Sequence, residues 1–190
     1  MNIINPPSST QTTSGLDVVI TQVGEALITI PWITVFHGRA WLIPEKKDNV
    51  ITRTPKIYQG SQEYFPTMMN DSITAASYCM GVDDSETSEI TAGNQTPAFF
   101  SKRLDIVVHG RLDKVDSGRD EYFVEELANE VLTSLKNTRV QITNVVFEDI
   151  RNVFDGVDIN EINRDQLIYP WFGIRIQTIA SYLNELVICP

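Results

Sequence analysis

Phe172-Gly173-Ile174-Arg175-Ile176-Gln177-Thr178-Ile179-Ala180-Ser181-Tyr182 is the stretch on which the fold reading turns. Phe172, Ile174, Ile176, Thr178, Ala180 and Tyr182 take alternate positions. Gly173, Arg175, Gln177 and Ser181 lie between them, and Ile179 breaks the pattern. A period of two belongs to a strand, so the segment predicts an antiparallel strand with one face on the core. Upstream, Arg103-Leu104-Asp105-Ile106-Val107-Val108-His109-Gly110-Arg111-Leu112 predicts a second strand, with Leu104, Ile106 and Val108 on one face. A loop at 113–118 separates it from a helix over about 120–136. There Phe123, Leu127, Val131 and Leu135 form one apolar stripe, with Val124, Ala128 and Leu132 beside it. Residues 140–143 and 145–153 read as one or two further strands, and 155–169 as a polar loop.

Toward the N-terminus the signals alternate in the same way. Residues 1–13, rich in Pro, Ser, Thr and Gln, read as a flexible arm. Ser14-Gly15-Leu16-Asp17 has the form of a capping box. Leu16, Val19, Ile20, Val23, Leu27 and Ile30 then follow at helical spacing until Pro31. Residues 32–43 are dense in aromatic and β-branched types and predict a strand, bent at Gly38 and ended by Pro44. Residues 44–74 read as an irregular excursion with at most a short strand at 56–58. Residues 73–82 form an apolar stretch of undecided type, and 83–98 a mobile loop. The predicted whole is one α+β domain over 14–190. A mostly antiparallel sheet packs against two amphipathic helices, with a long loop insertion at about 44–98.

The chain has 190 residues, 42% hydrophobic and 21% charged, an ordinary globular balance. Lys and Arg number 15 against 25 Asp and Glu, for a net charge of −10. The excess is shared: residues 1–95 hold 5 basic and 10 acidic residues, and 96–190 hold 10 and 15, so each half carries −5. A general nucleic-acid binder needs cations to displace phosphate counterions, and an anionic membrane surface makes the same demand. Both classes are excluded on charge. Cys79 and Cys189 are too few for a disulfide scaffold and read as free thiols, one buried and one near the end. No apolar run approaches the roughly 18 residues of a membrane-spanning helix. Residues 1–7 lack the cationic and apolar segments of a secretory signal, so folding in a cytoplasm is expected.

His37 and His109 sit in twin contexts, Val35-Phe36-His37-Gly38-Arg39 and Val107-Val108-His109-Gly110-Arg111. With Asp105 or Glu148 they offer the residue types of a facial metal triad. A small metal-dependent or acid–base enzyme using His37, His109 and Asp105 is therefore one alternative. The plainer reading places the two triplets on neighbouring strands that share a bend. Asp155, Asp158 and Glu161, with Asn160 and Asn163, supply oxygen ligands for Ca²⁺ in one loop, but without EF-hand spacing. Glu148 and Asp149, adjacent on a strand, point to opposite faces. There is no Gly-rich phosphate loop, dinucleotide fingerprint or nucleophile elbow. No catalytic, cofactor-binding or metal residue is assigned, no cofactor is expected, and the chain reads as a non-enzyme.

The densest charge feature lies at 116–130, where Asp116, Asp120, Glu121, Glu125, Glu126 and Glu130 face Arg119 alone. It reads as a solvated face, as a negative surface for a basic partner, or as a wall that repels DNA phosphates. A second alternative is thus an acidic protein-interaction module. Aromatics in the loops, Tyr58, Tyr64, Phe65, Phe99, Phe100, Tyr169 and Trp171, are of the type that anchors interfaces or caps small cores.

The order strand (103–108), long amphipathic helix (121–135), Val145-Val146-Phe147-Glu148-Asp149-Ile150-Arg151 and closing strand (171–178) resembles the tail-terminator and neck-ring proteins of tailed bacteriophages. The N-terminal helix and the 32–43 strand are similar to that family's opening, so the likeness spans 14–43 and 100–183. It is a likeness of layout, and 44–98 departs from it. The resemblance implies a structural virion protein, a ring subunit at the head–tail junction that assembles in the host cytoplasm. Its implied partners are further copies of itself and portal, neck or tail proteins, with no membrane. Genomic DNA would pass through without specific binding.

Overall fold

The structure is a computed structural model that describes residues 15–47, 49–58, 63–68, 71–82, 87–89, 98–116, 123–147, 149–157 and 169–184. The fold is α+β, built on one mostly antiparallel sheet. In chain order the elements are α1 (Leu16–Leu27), β1 (Val35–Lys47), β2 (Val50–Tyr58), β3 (Tyr64–Pro66), β4 (Ala75–Gly81), β5 (Thr87–Glu89), β6 (Ala98–Arg111), α2 (Leu112–Val115), α3 (Phe123–Ser134), β7 (Val140–Val146), α4 (Ile150–Val153) and β8 (Trp171–Asn184). A short 3-10 turn at Leu135–Asn137 closes α3. The sheet order is β3-β2-β1-β4-β6-β8-β7, with β5 on β6. Among the described residues only β1 and β4 run parallel.

The β6–β8 pair is the spine. It runs from Ala98↔Asn184 to Arg111↔Trp171 without a register shift. On one face, Leu104, Ile106 and Val108 of β6 join Phe172, Ile174, Ile176, Ala180 and Tyr182 of β8. They pack with Leu16, Val19, Ile20, Val23 and Leu27 of α1 and Leu127, Ala128 and Val131 of α3. The alternation of the strands and the helical stripes meet as expected. Each fully buried Val, Leu or Ile here contributes roughly 1.5–3 kcal/mol. Cys79 is buried in this cluster, and burial raises its thiol pKa well above the ordinary range.

The opposite face is also covered, contrary to the one-faced expectation for the closing strand. Tyr78, Val107, Ile150, Val153, Phe154 and Val157 form a second core. α4 lies so close over β8 that a Cβ on Gly173 would meet Val153 at 2.9 Å. Gly173 and Arg175, expected toward solvent, are therefore buried. The expected strand over 145–153 divides for the same reason. β7 stops at Val146, and Asp149 caps a helical turn by accepting from the Arg151 amide at 2.9 Å.

Several boundaries differ from the expectation. Gly15 caps α1 with no side-chain hydrogen bond, and Ser14 lies outside the described residues. α1 ends at Leu27, before Pro31. Leu112, expected to end the strand, and residues 113–115, expected in a loop, form α2. The larger correction concerns 44–98, which adds strands to the sheet. β1 continues through Pro44 to pair with β2, from Ala40↔Ile57 to Lys47↔Val50. The two residues between are Asp48 and Asn49. Asn49 has φ 64°, the left-handed conformation that Asn tolerates and tight hairpins need. β4 pairs β1 only as far as Ala40↔Met80. Beyond it one side of β1 has no neighbour among the described residues, a setting in which proline is accommodated. β4 itself is central and buried. The 1–13 arm and most of 83–97 lie outside the described residues.

Gly38 has φ 75° at a register shift between β1 and β4, the bend expected there. Gly110 serves another purpose. Its position is crowded by the Thr74 carbonyl, and a Cβ would sit 2.7 Å from the Ala75 Cβ. The twin triplets therefore do not share a bend, and β4 separates their strands. Gly110→Ala is expected to cost roughly 1–3 kcal/mol, because backbone must move to admit the methyl group. Urea denaturation reads this as a lowered midpoint, and an unchanged midpoint would contradict the close approach.

Candidate functional site

The alternation that sends Leu104, Ile106 and Val108 to the helices sends Asp105, Val107 and His109 to the second face. Arg175 stands opposite Val107 in the register, so Asp105 is its diagonal neighbour on that face. Both side chains are buried. Arg175 Nε and Nη2 donate to Asp105 Oδ2 at 3.0 and 2.5 Å, and Nη1 donates to the Asp155 carbonyl at 3.0 Å. The acid predicted as a metal ligand is thus the counter-charge of a buried guanidinium.

His109 is buried beside them, its ring centroid 6.1 Å from that of Tyr78 and 6.0 Å from that of Phe154. Its Nε2 lies 2.8 Å from the Thr67 carbonyl. A carbonyl only accepts, so Nε2 carries the proton. Burial lowers the His109 pKa to about 4, against a smaller raising effect of the Thr67 hydrogen bond. His37 is near enough for its charge to lower His109 further, and burial lowers its own pKa too. The crevice beside His109, lined by Ile73, Ala76 and Trp171, has no room for a water-sized sphere. Tyr78 Oη is buried without a hydrogen-bond partner among the described residues.

Of the residues singled out as a possible metal or acid–base site, the two histidines stand on strands either side of β4. Asp105 is engaged by Arg175. Among the described residues, no three His, Cys, Asp or Glu side chains are grouped to hold a metal. In the Asp155 loop, Asp155 is exposed and lends its carbonyl to Arg175, while Asp158, Asn160, Glu161 and Asn163 lie outside the described residues. Glu148 lies outside them as well.

The surface features are better developed. On α3, Glu125, Glu126 and Glu130 are exposed, and the helix holds no Lys or Arg. Glu130 Oε2 accepts from Trp32 Nε1 at 2.8 Å. Asp116 is exposed, while Arg119, Asp120 and Glu121 lie outside the described residues. Between α3 and the chain leaving α1 runs an open groove of about 580 Å³, lined by Ile30, Pro31, Glu126, Asn129, Glu130 and Thr133 among others.

The aromatic residues separate into two kinds. Phe100 stacks on Tyr182 against the core, and Trp171 lies under the Arg111 guanidinium at 5.5 Å. Tyr58, Tyr64 and Phe65 are exposed on β2 and β3, as Tyr169 is elsewhere; the Phe99 side chain lies outside the described residues. Trp41 and Ile51 join them on β1 and β2, and Ile51 is the most exposed at 65%. Sequence reading singles out neither, because Trp41 falls inside the expected 32–43 strand and Ile51 in the segment read as irregular, so the hairpin that presents both is not foreseen. The Asp48-Asn49 turn, with pairing on either side, was the available signal. Among the described residues, no helix is long and apolar enough to cross a membrane.

Comparison with known proteins finds no protein-family model that matches this chain and no similar curated protein.

Two predictions follow from the buried cluster. Asp105→Asn leaves a buried guanidinium without its counter-charge, at an expected cost of about 3–5 kcal/mol. Arg175→Met in that background should regain part of the loss; no loss in the single variant would contradict the pairing. His109 binds its proton less readily when folded, with a pKa of about 4 against an ordinary 6.5. Its contribution is full above pH 6.5 and declines as pH falls toward 4, by on the order of 3 kcal/mol in all. Urea denaturation across that range should show the decline, and His109→Gln should flatten it.

Proposed function

We propose that this chain is a structural virion protein of a tailed phage, a ring subunit of the tail-terminator, neck or connector class. It joins portal-side and tail components, resides in the virion and assembles in the host cytoplasm. The layout of residues 14–43 and 100–183 supports this reading. α1 and β1 open the domain, α3 lies on the antiparallel sheet, and β8 closes it beside β6. The observation that carries the reading is the presence of two unlike exposed surfaces. One is the apolar, cation-bearing ribbon of β1, β2 and β3, and the other is the acidic groove beside α3. A contact between unlike patches is heterologous, and heterologous contacts close into rings or run on as filaments. The acidity suits a DNA passage, since like charge keeps phosphates from adhering. The protein then works by shape and interface.

Sedimentation velocity of the purified full chain over a wide concentration range tests this. A discrete species larger than a dimer is expected. A chain that stays monomeric throughout, alone and with portal and tail proteins, would overturn the reading.

A further inference from the structure

We infer that the β1–β2–β3 ribbon of one copy seats on the α1–α3 groove of a second copy, head to tail. The inference rests on the ring reading and names the contact through which the ring closes. The ribbon is a projection: from Trp41 onward β1 pairs only with β2 among the described residues, because the β4 ladder ends at Ala40↔Met80. It concentrates exposed apolar side chains on both faces. Trp41 stands opposite Lys56, and Tyr58 opposite Tyr64, which places Trp41, Tyr58 and Tyr64 on one face. The Tyr58 and Tyr64 ring centroids are 5.3 Å apart, and the Arg39 guanidinium lies 5.2 Å from the Trp41 ring centroid. The pairs Pro44↔Arg53, Lys46↔Ile51 and Ile57↔Phe65 put Lys46, Ile51, Arg53 and Phe65 on the other face. A monomer seldom leaves large apolar groups exposed on both faces of one ribbon, and such exposure marks an interface.

Charge identifies the occupant. The five cations of residues 1–95 are Arg39, Lys46, Lys47, Arg53 and Lys56, and all lie on β1 and β2; Arg39 pairs with Asp17 and Lys56 with Glu45, while Lys46 and Arg53 are exposed. The groove offers the complement, with the exposed Pro31 for apolar contact and Glu126 and Glu130 as its charged residues among those described. A chain of net charge −10 repels its own copies in general, so self-association needs a local reversal of sign. The ribbon supplies it. The groove belongs to another molecule, because the start of β1 and the ribbon tip lie at opposite ends of a 13-residue strand, separated by roughly 40 Å. The ribbon cannot fold back on its own groove while that strand persists.

A charge swap tests the contact, with self-association read by sedimentation and folding by circular dichroism. Lys46→Glu with Arg53→Glu makes the ribbon negative, and Glu126→Lys weakens the groove's negative charge. All three positions are exposed. Each variant alone should remain folded and lose association by roughly tenfold or more. An equimolar mixture of the two, or the three substitutions in one chain, should recover it. Variants that assemble as the unchanged chain does would overturn this contact and leave the ring reading in place. Failure of the combined variant to recover would also overturn the contact. An unchanged chain that never associates would overturn both.

Discussion

The uninterrupted β6–β8 ladder is the constraint on which the rest of the molecule depends. Each strand is 14 residues long, and the middle of the pair is covered on both faces. One face takes α1 and α3. The other takes α4 and the turn through Phe154 and Val157. Because neither face reaches water there, any charge on it must be answered locally. Asp105 and Arg175 answer each other, and the Asp155 carbonyl takes the remaining Arg175 donor. His109 resolves the same demand by remaining neutral and donating to Thr67. The polar residues that invite a catalytic reading are those that this doubly covered ladder obliges to pair.

The ladder was legible because its chemistry is periodic. Alternation in β8 and β6 named the helix-facing residues, and the stripes of α1 and α3 named their partners. What periodicity could not convey was the second face. Arg175 and Gly173 look like solvent-side residues, yet α4, four residues long, and the turn after it cover them. A helix that short leaves no pattern of its own. The hairpin at Lys47–Val50 was hidden in another way. Pro44 reads as a strand terminator, yet it sits in a β1–β2 ladder that outruns the neighbouring strand β4. Tertiary position, which a linear reading lacks, decides whether proline breaks a strand.

The candidate site was legible in part. The acidic helix and the loop aromatics Tyr58, Tyr64 and Phe65 were visible as composition. Their arrangement was not, since it depends on the hairpin that carries Trp41 and Ile51 beside them. Once β1 and β2 are paired, Trp41, Tyr58, Tyr64 and Phe65 and four of the first half's five cations, Lys46, Lys47, Arg53 and Lys56, fall on one projection. The acids of α3 border a groove elsewhere. The even division of charge between the halves, −5 in each, conceals this local segregation of sign.

In the proposed ring, each contact joins two unlike patches, and repeating such a contact head to tail builds a rotational or helical assembly. Cryo-electron microscopy of the purified full chain tests this most directly. Class averages with cyclic symmetry around an open centre, each ribbon lying against its neighbour's α3, are the predicted result. Isolated two-fold dimers with the ribbons in water would contradict it.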